Sequence, residues 1–225
     1  MSHLVLFDID GTLTLTNDVD SQCYVQAMYE YLGTTIDDDW SSYRHVTDSG
    51  IAAELFQRHD RPLSDIAFVR QRFVSLLIQA LRTEPGCCRE VFGAADFLRH
   101  LGKNPDIVLG LATGSWAESA HAKLQHACLD VADLAIASAD DSHSRSEIMK
   151  ICLQRAADLA KVDKFATVTY FGDGVWDATA SAKLGWNFIG IAAGQDAVRL
   201  QTVGADQIFA DFSDRDSILR ALRLA

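Results

Sequence analysis

The sequence predicts an α/β protein in which a parallel sheet, covered by helices on both faces, carries an inserted all-helical segment. Short apolar runs alternate with helical stretches through most of the chain, which is the pattern of strand–helix–strand units. The stretch from Thr14 to Glu84 breaks this alternation, since it shows helical periodicity and no convincing strand. A chain of 225 residues is long enough for a core and one insert. We therefore expect a core of residues 1–13 and 86–225 and a helical insert of residues 14–85.

The first predicted strand, His3–Phe7, is an apolar run that leads directly into Asp-Ile-Asp-Gly-Thr. Five further apolar runs predict strands at Ile107–Ala112, Leu134–Ala137, Thr167–Phe171, Phe188–Ala192 and Gln207–Ala210. Ligands of parallel α/β sheets bind at the carboxyl ends of the strands. Polar residues that directly follow these runs are therefore the candidates for function.

The ends of several helices also carry sequence signals. Two helices begin with the spacing of a capping box, Ser115 with Glu118 and Ser144 with Glu147. A third predicted helix ends at Gly185, a residue type that favours the left-handed position after a helix.

The insert contains two amphipathic stretches. Apolar residues repeat at helical spacing at Tyr24, Met28, Tyr31 and Leu32, and again at Ile66, Val69, Phe73, Leu76, Leu77 and Ala80. Pro62 and Ser64 introduce the second stretch, and Pro85-Gly86 follows its end. We expect these aromatic and methionine side chains to form the core of the insert rather than a cofactor site.

The charge of the chain limits its partners. The formal net charge is −11 and no run of Lys or Arg is present, so neither nucleic acid nor an anionic membrane surface is an expected partner. The same charge repels an anionic small substrate at long range. A site for such a substrate must therefore supply its own positive charge.

Two features bear on the compartment. The apolar run Met1 to Phe7 is interrupted by Asp8 and Asp10, and it is too short for a signal peptide or a spanning helix. The cysteines are odd in number, lack paired metal-ligand spacing, and are Cys23, Cys87, Cys88, Cys128 and Cys152. We interpret them as reduced thiols of a cytoplasmic protein.

The first chemical motif is Asp-Ile-Asp-Gly-Thr at residues 8–12, at the end of the first predicted strand. Side chains two residues apart lie on the same side of an extended segment, so Asp8 and Asp10 face one site. One carboxylate then has the position to attack while the other moves protons. Carboxylates serve as nucleophiles in enzymes that form aspartyl-phosphates.

A second acidic motif, Gly-Asp-Gly-Val-Trp-Asp at residues 172–177, also follows a predicted strand. Asp173 and Asp177 would converge from a turn with Asp8 and Asp10 at one edge of a parallel sheet. Each like-charged pair costs roughly 4 kcal/mol at 4 Å with an effective dielectric of 20. A divalent cation with a preference for oxygen ligands, such as Mg²⁺, relieves that repulsion and leaves room for a phosphate.

Two further residues complete the predicted site. Thr113 ends the strand before Gly114 and Ser115, where its hydroxyl and the following backbone amides would bind a phosphoryl oxygen. Arg145 begins the helix after the third strand and offers a planar guanidinium to phosphate oxygens. Lys150 is the competing cation, but it lies deeper in that helix.

The order of these elements resembles the haloacid dehalogenase superfamily. The motif at Asp8–Thr12, the strand-terminal Thr113, the basic Arg145 and the Gly-Asp-x-x-x-Asp motif at Asp173 follow one another as in that family. The resemblance implies a Rossmann-like core with a helical cap at residues 14–85, and a Mg²⁺-dependent phosphatase acting on a small phosphorylated metabolite. In place of the lysine usual in that family, often followed by proline, this chain has an arginine without proline.

The resemblance also implies a role for each residue. Asp8 would be the nucleophile and Asp10 the acid and then the base, while Asp173 would bind the metal and Asp177 would orient its water. Thr113 would hold the phosphoryl group and Arg145 would neutralise its charge. The predicted metal-binding set is thus Asp8, Asp10, Asp173 and Asp177.

Substrate binding is predicted for two regions. The first is next to the catalytic motifs, at Thr12 and Gly114. The second is a polar loop of the insert that would face the site or form an ordinary surface turn, with candidates Arg44, His45, Asp48 and Ser49 and their neighbours Thr47 and Gly50.

Other activities remain as alternatives. Within the family that this chain resembles, enzymes that cleave carbon–halogen bonds lack the second aspartate, so Asp10 disfavours that activity. Phosphonate-cleaving members of that family use a cap lysine, and residues 14–84 contain no lysine. A sugar phosphomutase shares Asp8 and Asp10 and differs in excluding water. A non-enzymatic Mg²⁺-binding module of the response-regulator type is the third hypothesis, although it needs no helical insert.

Overall fold

A computed structural model describes residues 2–84 and 86–222. Its strands are β1 His3–Phe7, β2 Ile107–Ala112, β3 Ala135–Ala137, β4 Val168–Gly172, β5 Asn187–Ile191 and β6 Ile208–Phe209. They form one sheet in the order β3-β2-β1-β4-β5-β6, with every pairing parallel. The predicted fold class is confirmed, and the ends of the four later strands differ from the prediction by one residue.

The helices are α1 Asn17–Leu32, α2 Asp48–Arg58, α3 Ile66–Thr83, α4 Ala94–Leu101, α5 Ala117–His126, α6 Arg145–Ala160, α7 Val175–Leu184, α8 Gly194–Thr202 and α9 Arg215–Ala221. Short 3₁₀ turns at Trp40–Ser42 and Leu63–Asp65 precede α2 and α3. Within the described residues, none of these helices has the length and apolar character needed to cross a membrane.

Alternation along β1 creates two layers of core. Val5 and Phe7 face one side, where Phe7 stacks on Phe171 with ring centroids 4.7 Å apart. Leu4 and Leu6 face the other side and pack against α6. Burying each such side chain contributes about 1.5–3 kcal/mol. The strand that carries the first acidic motif is therefore fixed from both faces.

The first three helices form a separate apolar cluster. Tyr24 lies between Phe73 and Trp116, with ring centroids 5.6 and 5.8 Å away. Trp116 belongs to the segment after β2, so this cluster attaches the helices to the sheet. Residues 17–83 contain helices and turns but no assigned strand. Pro85, at the predicted end of the insert, lies outside the described residues, and the division into core and insert stays a prediction.

The predicted helix ends have mixed outcomes. Gly185 has φ 69° and ends α7 as expected. The two capping boxes are wrong. Helix α5 begins after Trp116, and Ser115 instead donates a hydrogen bond to Asp10. Ser144 precedes α6, but its hydroxyl pairs with that of Ser146 rather than with a helix amide.

Candidate active site

The carboxyl ends of β2, β1 and β4 are adjacent in the sheet. They place Thr113, Asp8 and Asp173 along one side of a cavity of about 120 Å³, because each residue directly follows its strand. Helix α1 and the segment before α2 cover the opposite side of this cavity. The cavity thus lies between the sheet edge and the helical segment.

Three acidic residues meet in this cavity. One carboxylate oxygen from each of Asp8, Asp173 and Asp177 lies within 4.8 Å of the others. Burial raises the pKa of Asp8 and Asp173, and the negative charge of neighbouring aspartates raises both pKa values further. Burial also raises the pKa of Asp177, to about 7. Oxygen atoms Oδ1 of Asp8 and Asp177 are buried without a hydrogen-bond partner. The cluster therefore has the donor atoms and the unneutralised charge that suit a hard divalent cation.

Arg145 supplies the positive charge of the cavity. Its Nη1 atom lies 3.1 Å from Asp8 Oδ2 and 3.4 Å from Asp177 Oδ1. Burial works against its charge, but Asp177 and Asp8 raise the pKa of Arg145 well above its usual range. Among the described residues its Nε atom has no hydrogen-bond partner, whereas Nη1 makes no hydrogen bond but is ion-paired with both carboxylates. Lys150, the competing cation, is half-exposed and pairs with Glu147 on the same helix.

Gly11 is required by the geometry of the acidic motif. Its φ is +71°, a left-handed conformation, and a β-carbon there would lie 1.9 Å from Asp173 Oδ2 and 2.7 Å from Asn17 Nδ2. Any other residue would push Asp173 out of the cluster. The glycine of the first motif therefore makes room for the first aspartate of the second motif.

Asp10 lies apart from the other three carboxylates of the predicted metal-binding set, and its role as a metal ligand stays a prediction. Its side chain does not join the three-carboxylate cluster found among the described residues. Instead, Asp10 Oδ2 accepts hydrogen bonds from Lys123 Nζ at 2.6 Å and Ser115 Oγ at 2.7 Å, while Thr16 donates to Oδ1. Burial raises the pKa of Asp10, but the Lys123 ammonium and these donors lower it below its usual range. The four predicted carboxylates thus divide into a cluster of three and an ion pair.

Lys123 was not predicted from the sequence. It is completely buried, and its Nζ atom also contacts Asp20 Oδ1 at 2.6 Å. Burial opposes its charge, yet Asp10, Asp20 and Asp48 raise the pKa of Lys123. Lys123 lies three residues after Ala120 and just before Leu124, on the apolar face of α5. This position on an apolar face was the sequence signal that could have indicated a buried lysine.

The start of α1 also contributes residues that the sequence analysis missed. Asn17 Nδ2 donates a hydrogen bond to Asp173 Oδ2 at 2.9 Å. Asp20 forms the second arm of the Lys123 ion pair, and burial raises its pKa to about 6. Both side chains line the cavity, so the first turn of α1 belongs to the site.

Thr47 and the first residues of α2, Asp48 and Ser49, make four hydrogen bonds to the segments after β2 and β3. Asp48 donates its backbone N–H to the Gly114 carbonyl at 2.7 Å and accepts the Trp116 N–H at 2.7 Å. Thr47 donates to the His143 carbonyl at 2.8 Å, and Ser49 donates to the Ala139 carbonyl at 2.6 Å. This segment is therefore part of the site's wall rather than a plain surface turn.

The predicted substrate-binding residues separate into two groups. Asp48 and Gly114 line the cavity. Thr12, Ser49, Arg44 and His45 do not line it, and their role in substrate binding stays a prediction. Thr12 is fully buried, Ser49 points to the Ala139 carbonyl, and Arg44 is exposed with its backbone N–H on Glu54. His45 is half-buried, and burial and Arg44 lower its pKa.

The helical side of the cavity combines two aromatic rings, Tyr24 and Trp40, with two acidic residues, Asp20 and Asp48. Tyr24 and Trp40 meet edge to face with centroids 5.8 Å apart, and the Tyr24 hydroxyl donates to the Asp48 carbonyl. Trp40 donates its indole N–H to Ser21 Oγ at 3.0 Å. Trp176 lines the other side and has a buried Nε1 atom without a partner. This wall is suited to an organic group with some polar character.

Comparison with known proteins agrees with this architecture. The family model of the haloacid dehalogenase-like hydrolases matches residues 3–185. A hydrolase from Pseudomonas syringae is similar in structure, with a TM-score of 0.75, 18% identity and 98% of each chain covered. No curated protein sequence matches the chain.

Two further solved structures share the fold. CbbY from Rhodobacter sphaeroides, in complex with phosphate, has a TM-score of 0.71 and 19% identity, covering 95% of this chain and 96% of that one. A protein from Bacteroides vulgatus assigned as a β-phosphoglucomutase has a TM-score of 0.72 and 18% identity, covering 98% and 88%. At such identities these structures establish the fold alone.

Proposed function

The chain belongs to the haloacid dehalogenase-like hydrolase family, and from this membership and its site we propose that it hydrolyses small phosphate monoesters through an aspartyl-phosphate on Asp8. The observation that carries the proposal is the contact of Arg145 with Asp8 and Asp177, beside a buried Asp8 oxygen that lacks a partner. This arrangement pairs a nucleophile with a fixed cation for the phosphoryl group.

Asp8, Asp173 and Asp177 would hold a Mg²⁺ ion. The support for this assignment is the convergence of their oxygens and the two buried oxygens without partners. When bound, the ion supplies a positive charge that screens the carboxylates from the phosphate and stabilises charge in the transition state. Asn17 would keep Asp173 in position through its 2.9 Å hydrogen bond.

The chain's own residues would carry out both steps. In the first step, Asp8 attacks phosphorus and the bond to the leaving oxygen breaks. Asp10, which has to enter this step protonated against the pKa-lowering effect of Lys123, gives that oxygen its proton. In the second step, Asp10 takes a proton from water, which attacks the phosphorus and releases Asp8 and inorganic phosphate. Arg145 and Thr113 would bind the phosphoryl oxygens throughout, while Lys123 and Ser115 hold the carboxylate of Asp10.

The helical segment at residues 14–85 would act as the cap. Support comes from the hydrogen bonds that join Thr47 and the start of α2 to the segments after β2 and β3. Closure of this segment over the cavity would exclude bulk water from the phosphoryl group, except for the water that the second step needs.

The test is the Asp8→Asn variant, assayed for phosphate release from 4-nitrophenyl phosphate with Mg²⁺. We expect its turnover to fall at least about a thousandfold, because an amide is a poor nucleophile. Asp18→Asn, an exposed substitution in the first turn of α1, serves as the matched control and should keep near-normal activity. Activity of Asp8→Asn within tenfold of the parent protein would rule out the mechanism.

The alternatives give different products. A sugar phosphomutase would convert a hexose 1-phosphate to its 6-phosphate without releasing inorganic phosphate. A non-enzymatic module would release no phosphate from any member of a broad panel of phosphorylated metabolites. Measurement of both products in one assay separates the three hypotheses.

A further inference from the structure

The charges around the cavity are strongly asymmetric. Five aspartates line it: Asp8, Asp10, Asp20, Asp48 and Asp173. Among the described residues that line it, Arg145 is the one cation, and its guanidinium lies against Asp8 and Asp177. Lys123 is close by, but its ammonium is occupied by Asp10 and Asp20. The cavity therefore has positive charge for one phosphoryl group and none for a second anion.

The basic residues of the helical segment do not change this balance. Arg58 pairs with Glu54, Arg70 with Asp140 and Arg72 with Glu30. The Arg61 guanidinium lies over the ring of Tyr31, 5.8 Å from its centroid. Arg44 and Arg82 are exposed and do not line the cavity. The side of the cavity that would face a leaving group thus carries no basic side chain.

That side carries aromatic rings and carboxylates instead. Tyr24 and Trp40 provide ring surface next to Asp20 and Asp48. A second phosphate or a carboxylate on the leaving group would meet no free cation among the described residues of this side, because the Lys123 ammonium is already paired with Asp10 and Asp20. It would instead lie against the Asp20 carboxylate and the Asp48 side chain, whose pKa is raised by burial, in a partly desolvated site. A hydroxyl or an ammonium group there meets hydrogen-bond acceptors and aromatic faces.

We propose that this enzyme is selective for small phosphate monoesters whose leaving group is neutral or cationic, and that it discriminates against substrates with a second anionic group. The inference rests on the proposed phosphatase function and refines its substrate class. It also disfavours the phosphomutase alternative, because a bisphosphate intermediate needs a second anion site in the same cavity.

A series of three substrates tests the proposal, because their leaving groups all have two carbons and differ in charge. The series is 2-hydroxyethyl phosphate, which is neutral in its leaving group, phosphoethanolamine, which is cationic, and 2-phosphoglycolate, which is anionic. We expect kcat/KM for phosphoglycolate to be lower than for each of the other two by at least about tenfold at pH 7.5. Equal or better turnover of phosphoglycolate would overturn the proposal.

A gain of positive charge provides the second measurement. Ser21→Lys places an ammonium on the cavity wall, whereas Gln22→Lys places one on the exposed neighbouring position of α1. The ratio of kcat/KM for 2-hydroxyethyl phosphate to kcat/KM for phosphoglycolate measures this discrimination. We expect Ser21→Lys to lower that ratio by at least about threefold and Gln22→Lys to leave it unchanged. Identical selectivity of the two variants would show that the charge of this wall does not set specificity.

Different results would refute the phosphatase function and the charge selectivity. If none of the three substrates nor 4-nitrophenyl phosphate releases phosphate, the proposed function fails and this inference fails with it. If 4-nitrophenyl phosphate and phosphoglycolate are both hydrolysed well, the phosphatase function stands and only the charge selectivity is wrong.

Discussion

Replacement of Lys123 by methionine removes the charge that holds two carboxylates together in the interior. The Lys123 ammonium is completely buried and lies 2.6 Å from both Asp10 Oδ2 and Asp20 Oδ1. Methionine fills most of the space of the aliphatic chain, so packing changes little. What remains is a pair of carboxylates without their counterion, and Ser115 also loses its Nζ contact.

The magnitude follows from the burial of each partner. Removing one member of a buried ion pair typically lowers the free energy of unfolding by about 3–5 kcal/mol. The Asp10 and Asp20 side chains are 20% and 16% exposed, so water relieves part of that cost. We therefore expect Lys123→Met to lower the free energy of unfolding by about 3 kcal/mol, measured by urea denaturation at pH 7.5.

A matched control and a rescue variant make this result specific. Lys150→Met removes a half-exposed lysine paired with Glu147 and should cost less than about 0.5 kcal/mol. Adding Asp20→Asn to Lys123→Met removes one of the stranded carboxylates and should recover part of the lost stability. A Lys123→Met protein within 1 kcal/mol of the parent would refute the reasoning, because the ion pair would then contribute nothing net.

Two further predictions concern the site. Gly11→Ala should abolish phosphatase activity, because its β-carbon would displace Asp173. The control is Gly33→Ala, at φ +77° with open space around it, which should cost only about 1 kcal/mol of stability and no activity. Kinetics and denaturation curves of both variants test this prediction, and equal losses of activity in the two variants would contradict it. Without a divalent cation, the melting temperature should fall as pH rises from about 4.5 to 7.5 and change little above that. Asp177 and Asp20 have folded pKa values of about 7 and about 6, above their ordinary 3.8, so the folded state loses its advantage in proton binding across that range. Excess Mg²⁺ should restore stability most at the high end of the range, and a flat profile in EDTA would argue against a strained acidic cluster.

The sequence was sufficient for the sheet and for the two acidic motifs, because apolar runs that end in aspartate have few other interpretations. The convergence of Asp8 and Asp173 follows from strand adjacency alone. The sequence could not reveal which carboxylate would turn away. Asp10 belongs to the same motif as Asp8, yet Lys123, more than a hundred residues later, binds it.

The contribution of α1 was equally hidden from the sequence. Asn17 and Asp20 look like ordinary polar residues at the start of an amphipathic helix, where acidic side chains are favoured. Only the approach of α1 to the sheet edge shows that they contact Asp173 and Lys123. Contacts between residues that are distant in the sequence leave no local pattern, and so they required the structure.

The hydrogen bonds that join Thr47 and the start of α2 to the rest of the site have a kinetic consequence. If a substrate enters the cavity past Thr47, Asp48 and Ser49, the four hydrogen bonds of these residues to the segments after β2 and β3 have to separate first. At roughly 1 kcal/mol net for each bond, the open form is populated on the order of once in a thousand molecules. The small open fraction would then limit substrate entry, and kcat/KM would fall as solvent viscosity increases.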